Sequence, residues 1–214
     1  FEKSIKRGVI GCMNNTGQSC NAPTRMLVPD HRHDEALNIA KTAAEELIVG
    51  DPQSEKTDIG PLVSQMQFDK VQNLLQSGIN SSATLVAGGL GKPPNTEKGY
   101  YVKPTIFGNV ENNMVIAKEE IFGPVLSIIS YKNDEDAISI ANDSDYGLAA
   151  YVSGKDPEKL MHFARNLNAG QVHINYQSGG ADAPFGGYKQ SGNGREKAEW
   201  GLDEFLEVKA IMGS

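Results

Sequence analysis

The sequence predicts a three-layer α/β domain: a mostly parallel sheet with helices on both faces. Three observations lead there. Between Val125 and Asn175, strand-like and helix-like segments alternate, the pattern of crossover units whose strands run parallel. Residues 125–131 are apolar on both faces, as strands covered on two sides are. Residues 34–47 place Leu37, Ala40, Ala44 and Leu47 on one face, the stripe of a helix packed on a core.

The elements follow in order. Ile5, Val9, Cys12 and Met13 recur at helical spacing, and the polar run from Asn14 to Gly17 stops that helix. Residues 24–28 form a strand stopped by Pro29. After the helix at 34–47, residues 50–61 make a loop holding Pro52, Gly60 and Pro61. Residues 63–76, apolar at Phe68, Val71, Leu74 and Leu75, make a second helix that Gly78 ends. Residues 84–87 read as a short strand, 88–99 as a Gly- and Pro-rich connection, and 101–110 as extended. A helical turn at 117–122 is broken by Gly123 and Pro124. There follow a strand at 125–131, a helix at 135–142, a strand at 148–153, a helix at 157–168 and a strand at 171–175. Residues 178–194 are a Gly-rich loop, followed by a terminal helix and a last extended piece at 205–211.

The 214 residues carry 20 Lys and Arg against 27 Asp and Glu, a net charge of −7. That balance excludes nucleic acid and anionic membrane surfaces as partners, since both select basic patches. No run reaches the ~18 apolar residues of a membrane span. Two cysteines are too few for a disulfide scaffold and point to a reducing, cytoplasmic setting. The chain opens on Phe1 inside a helical pattern with no capping residue before it, and reads as one piece of a longer protein.

Three stretches could carry chemistry. Cys20 follows a helix and a Gly-containing turn, where its sulfur could stand in a cleft beside backbone N–H groups; the alternative is a small buried hydrophobe. Cys12 lies on the apolar face of its helix and belongs to the core. Neither has partners at metal-ligand spacing, so no metal site is expected. Glu120, just ahead of a chain break, could accept two hydroxyls of a sugar diol, with Phe122 supporting a flat heterocycle. The alternative there is a solvated acidic helix end with a core Phe. Residues 184–196 are Gly-rich and could line a site or serve only as a structural loop. His31 and His33 are expected at a helix start or in solvent, and His31, His33, His162 and His173 show no catalytic spacing.

Taken together, these stretches resemble the aldehyde dehydrogenase superfamily. The matching residues are Asn15, Thr16, Gly17, Gln18, Ser19 and Cys20 with Ala22 and Arg25, then Val49, Gly50, Asp51 and Pro52 with Gly60, Pro61 and Leu62. They continue through Gly99 and Tyr100 with Pro104, Thr105, Ile106 and Phe107, then 119–125, Asn142 with Tyr146, Gly147 and Leu148, and 184–196.

The resemblance implies that Cys20 is the catalytic thiol. It implies that Glu120 holds the nicotinamide ribose and Phe122 stands beside the nicotinamide of NAD or NADP. Gln67 and Lys70 match a weaker cofactor-contact stretch, Phe185 matches a substrate-tunnel aromatic, and Asn175 and Arg195 match structural positions. Residues 1–214 then form the catalytic domain, with 205–214 a candidate oligomerisation segment suited to strand pairing between subunits. The family's coenzyme-binding domain, its oxyanion asparagine and the water-activating Glu of its Glu-Leu-Gly-Gly motif lie outside these residues. The expected partners are an aldehyde, that domain of the same enzyme and further copies of the chain. Residues 177–182 lack the bulky side chains common at the family's substrate mouth, which leaves the aldehyde open. Two alternatives remain: a folded or assembly module inactive alone, and a thiol-dependent esterase needing no cofactor.

Overall fold

In the computed structural model, which describes residues 1–213, the first of two units (Phe1–Ser144) is organised around a four-stranded sheet. Its strands are β1 (Arg25–Pro29), β2 (Thr84–Ala87), β3 (Thr105–Gly108) and β4 (Val125–Tyr131), in spatial order β1-β4-β3-β2. β1 and β3 both run parallel to β4, as expected. β2 runs antiparallel to β3, so the sheet is mostly parallel with one antiparallel edge. The reason is the connection at 88–104, which contains no helix. Parallel neighbours need a crossover, whereas a chain that simply returns pairs antiparallel.

Alternate residues of the central strands serve different clusters, as the two-residue period of a strand requires. Ile106, Leu126 and Ile128 join Ile5, Val9, Cys12 and Met13 of α1 (Glu2–Met13) and Ala36, Ala40 and Ala44 of α2 (His33–Glu45). Phe107, Val125 and Ile129 join Val71 and Leu75 of α3 (Gln65–Ile79) and Ile116 and Ala117 of α4 (Val115–Lys118). α2 brings mostly alanines to its contact with the sheet, so its backbone can approach closely. Arg25 ties β1 to the end of α5 (Asp134–Asn142): its guanidinium donates to the carbonyls of Ile140 and Ala141 at 2.6 and 3.3 Å, and to Asn112 Oδ1. A cation on the last carbonyls of a helix also complements the helix dipole.

The second unit (Asp145–Ser214) is described up to residue 213. Here β6 (Ala149–Val152) and β7 (Gln171–Ile174) pair in parallel across α6 (Pro157–Asn166), the crossover expected from the alternation. They form a separate two-stranded sheet, so the alternation does not extend one sheet from β4 onward. β5 (Tyr146–Gly147) pairs antiparallel with β8 (Tyr188–Lys189), inside the expected Gly-rich loop. The chain then forms α7 (Ala198–Asp203). Beyond it, 205–213 joins no ladder among the described residues, with Phe205, Val208, Ile211 and Met212 all strongly exposed. Ser214, the end of the expected oligomerisation segment, lies outside the described residues.

Three local expectations need correction. α4 ends at Lys118, before Glu119 turns extended with ψ 141°, so Glu120 and Phe122 stand on a loop rather than a helical turn. His33 stands at a helix start as expected, but as the buried first residue of α2 rather than as a cap or in solvent, and its Nε2 accepts from the Asn109 N–H at 3.4 Å. Gly78 does not end its helix; α3 runs on to Ile79. Gly78 is needed for space instead, because a Cβ there would lie 2.8 Å from Phe107 Cζ and 3.1 Å from Ile116 Cγ2.

That last finding fixes the sign of a substitution. Helix propensity favours Ala over Gly by about 1 kcal/mol, while overpacking a core costs about 1–3 kcal/mol. Phe107 is fully buried and has nowhere to swing. Gly78→Ala is therefore expected to lower stability by up to about 2 kcal/mol in denaturant unfolding. A gain would mean that propensity, not packing, governs the position.

Candidate active site

Cys20 is carried by an unusual turn. After α1, the backbone passes through the left-handed region three times in succession, at Asn15 (φ 50°), Thr16 (φ 58°) and Gly17 (φ 70°). For the two non-glycine residues this costs about 1–2 kcal/mol each. Side chains hold the turn in place. Asn15 Nδ2 donates to Gln18 O at 2.9 Å, and the buried Thr16 hydroxyl donates to Gly60 O at 3.1 Å. Gln18 Oε1 accepts from the Val63 N–H at 2.9 Å. Gly17 admits no side chain for a second reason: a Cβ would lie 2.0 Å from Gly123 O and 2.8 Å from Pro124 N. The cysteine turn and the 119–124 loop are thus packed backbone on backbone.

The turn leaves Cys20 exposed. The Gln18 and Ala22 N–H groups are used within it, whereas among the described residues the Cys20 N–H has no acceptor. A thiol beside an unused amide donor can attack a carbonyl and stabilise the oxygen that becomes negative. Cys12 is the opposite case. Its Sγ is fully buried and donates to Val125 O at 3.3 Å. Burial pushes its thiol up to about 12.

On the neighbouring loop Glu120 is exposed, and among the described residues it forms no ion pair. Phe122 is half-buried and also left-handed, with φ 55°. Gln67 meets this loop from the first turn of α3. Its amide nitrogen donates to Ile121 O at 3.0 Å and Phe122 O at 2.9 Å. Two such bonds contribute about 1–3 kcal/mol, comparable with the strain at one left-handed aromatic residue. Ser64 caps the same turn, accepting from Gln67 N–H at 3.2 Å. Ser64 followed three residues later by Gln67 is a capping-box pattern visible in the sequence, although here the glutamine reaches the loop rather than the cap. Lys70 is exposed on the following turn of α3. Val63 and Met66, at the start of α3, are 80% and 79% exposed.

Phe185 belongs to the second unit. It is half-buried, its backbone exchanges hydrogen bonds with Glu196 at 2.8 and 2.6 Å, and Lys197 Nζ lies 5.6 Å from its ring centre. Arg195 staples the Gly-rich loop by donating from Nη1 to the carbonyls of Gly187, Asn193 and Gly194 at 2.9, 3.1 and 2.9 Å. Asn175, left-handed at φ 52°, accepts from the Gly154 N–H at 3.0 Å. The first unit thus unites Cys20, Gln67, Glu120 and Phe122 through touching loops. The sequence reading missed what joins them: Thr16, Gln18, Ser64 and the Gly17–Gly123 contact.

Comparison with known proteins follows the same lines. The family model described as "Aldehyde dehydrogenase family" matches residues 1–211. A 3-succinoylsemialdehyde-pyridine dehydrogenase from a Pseudomonas species is 52% identical over 213 residues, 100% of this chain and 45% of that protein. Among solved structures, a cysteine-to-alanine mutant of aldehyde dehydrogenase C from Pseudomonas syringae, in complex with NAD+ and octanal, gives a TM-score of 0.96. It is 48% identical and covers 98% of this chain and 43% of that one. Mycobacterium tuberculosis aldehyde dehydrogenase complexed with NAD+ gives 0.91 at 42% identity, over 94% of this chain and 41% of that one. The chain spans less than half the length of these relatives.

The two thiols are expected to differ in reactivity. Iodoacetamide on the native chain near pH 8 should label Cys20 and leave Cys12 untouched until unfolding; peptide mapping that found Cys12 labelled first would reverse the assignment. The raised Cys12 value also has a pH signature. The folded state holds the proton more tightly than the unfolded chain, so its stabilising effect is complete below the ordinary thiol range and is lost as pH rises from there towards about 12. In that window the wild type should lose about 1.4 kcal/mol per pH unit relative to Cys12→Ala.

Proposed function

The chain belongs to the aldehyde dehydrogenase family, and on that premise we propose that it is the catalytic portion of an NAD(P)-dependent enzyme oxidising an aldehyde to a carboxylate. The observation that carries this reading is the exposed Cys20, beside its own unused N–H, on a turn locked against the loop of Glu120 and Phe122. As thiolate, Cys20 Sγ adds to the aldehyde carbon, and the resulting thiohemiacetal oxygen accepts a hydrogen bond from the Cys20 N–H. The residues present fit the cofactor: Glu120 is an un-neutralised carboxylate able to accept both hydroxyls of a ribose, and Phe122 offers a half-buried ring beside it. NAD(P), when bound, supplies the two-electron acceptor that makes the thiohemiacetal a thioester on Cys20. Water, losing its proton to the general-base Glu assigned outside this chain, then adds to the thioester carbon, and the C–S bond breaks to release the acid and return Cys20 as thiolate. Gln67 and Lys70 are assigned to cofactor contact from α3, and the family resemblance assigns Phe185, in the second unit, to the substrate tunnel.

The rest of the reading concerns the longer protein. The coenzyme-binding domain, with the general-base Glu and the side-chain oxyanion donor, is assigned to residues outside this chain. The two core clusters on alternate strand residues support the three-layer description. Residues 205–214 are assigned to subunit pairing, and the exposure of Phe205, Val208 and Ile211 supports that. Two free thiols suit a reducing, cytoplasmic setting. Exposed Val63 and Met66 beside the Gln18 contact favour a further reading: the chain alone is a folded module that carries out only the first step.

An oxyanion donor is worth about 10²–10³ in rate and a general base about 10²–10⁴, so the chain alone should not turn over. A short aliphatic aldehyde should nevertheless protect Cys20 reversibly from alkylation, with no steady NADH absorbance. In the complete enzyme, Cys20→Ser should cost at least about 10³-fold in turnover. Turnover that survives this substitution would remove Cys20 from the reaction.

A further inference from the structure

We propose that Gln67 acts on this site as a positioning residue: its amide nitrogen fixes the backbone turn at Phe122, and so sets where that ring stands. The inference rests on the dehydrogenase reading above. Two successive carbonyls, Ile121 O and Phe122 O, converge on the one nitrogen at 3.0 and 2.9 Å. Successive carbonyls of an extended chain point in opposite directions, so they can share a donor only where the chain turns between them. That turn is Phe122, at φ 55°, a conformation an aromatic residue rarely adopts unaided.

The amide nitrogen has two protons and both are committed to this loop, which leaves the acceptor Oε1 alone for any other contact. The donor is itself held, because Gln67 N–H bonds the Ser64 cap. Val71, one turn along the same helix face, supports the arrangement independently: a Cβ on Gly123 would lie 2.7 Å from Val71 Cγ2. The helix thus grips three consecutive loop residues, with Gln67 on the carbonyls of Ile121 and Phe122 and Val71 against Gly123. Gly17 of the cysteine turn closes on Gly123 as well. The side chain must be a glutamine. Asparagine is one methylene short, and an ionised glutamate would set a carboxylate against two carbonyl oxygens.

The test has two arms, both on the complete enzyme. In the first, chymotrypsin probes the Phe122–Gly123 bond, with cleavage followed by mass and global stability by thermal unfolding. Gln67→Met, of similar length but without a donor, should be cut about tenfold faster or more at that bond, and Gln67→Glu faster still. Unchanged cleavage in both would overturn the proposal, whatever the enzyme's activity, and the second variant keeps the arm decisive where one fails to fold. In the second arm, a double-mutant cycle measures NAD(P) KM and kcat for Gln67→Met, Phe122→Ala and the pair. Gln67→Met alone should raise KM or lower kcat by about 10- to 100-fold, and add little once Phe122→Ala has removed the ring. A full effect persisting in the Phe122→Ala background would mean that Gln67 does not act through that ring and overturn the proposal. A wild-type enzyme without NAD(P)-dependent aldehyde oxidation would instead sink the dehydrogenase reading and leave the cleavage arm to decide on Gln67.

Discussion

One contact organises the chemistry of the first unit: Gly17 lies so close to Gly123 and Pro124 that neither chain could recede without opening the other. Backbone against backbone is the closest approach two segments can make, and it removes the freedom that two surface loops would otherwise have. The left-handed run at Asn15 and Thr16 follows from it, since the chain must arrive at Gly17 from α1 and leave again toward Cys20. The glutamines secure the assembly from its edges, Gln18 to Val63 and Gln67 to Ile121 and Phe122. Exposed side chains such as Cys20 and Glu120 can then stand in solvent on a closely packed and hydrogen-bonded support.

This division of labour is also electrostatic. The buried thiol, Cys12, is kept neutral by its surroundings and takes its place as a core residue. The exposed groups, Cys20 and Glu120, carry no side-chain partner among the described residues that would have to be displaced before a ligand could use them. The cations nearby in sequence are engaged elsewhere: Lys118 pairs with Asp143 at 2.8 Å, and Arg25 serves the end of α5.

Much of this was legible in the sequence. The helical spacing of Ile5, Val9 and Cys12 separated the core thiol from the exposed one, and the apolar residues on both faces of β4 marked a strand covered on two sides. Residues whose role is set by partners distant in sequence were not legible. Gly78 carries the local signature of a helix end, and only Phe107, some thirty residues on, reveals it as a packing position. The direction of β2 depended on a connection that lacks a helix, which composition alone could not decide. The Ser64–Gln67 pair advertised a cap and concealed a bracket, because the second acceptor lies more than fifty residues away.

The Gly-rich segment of the second unit carries a consequence for how such chains can diverge. A Cβ on Gly170 would fall 1.7 Å from Gly186 O, one on Gly186 would fall 2.2 Å from Gly194 O, and Arg195 gathers three carbonyls of the same segment. A single inserted residue between Gly187 and Asn193 would put the Gly186–Gly194 approach and the Arg195 bond to Gly187 out of step together. The stretch just before it, 177–182, is exposed throughout and contains Gly179 and Gly180. Tolerance of length change concentrates in such open, small-residue segments. Lineages descending from a common ancestor would therefore keep one ruler-like interval after Pro184 and vary the adjoining stretch, placing their insertions and deletions on one side of Pro184 only.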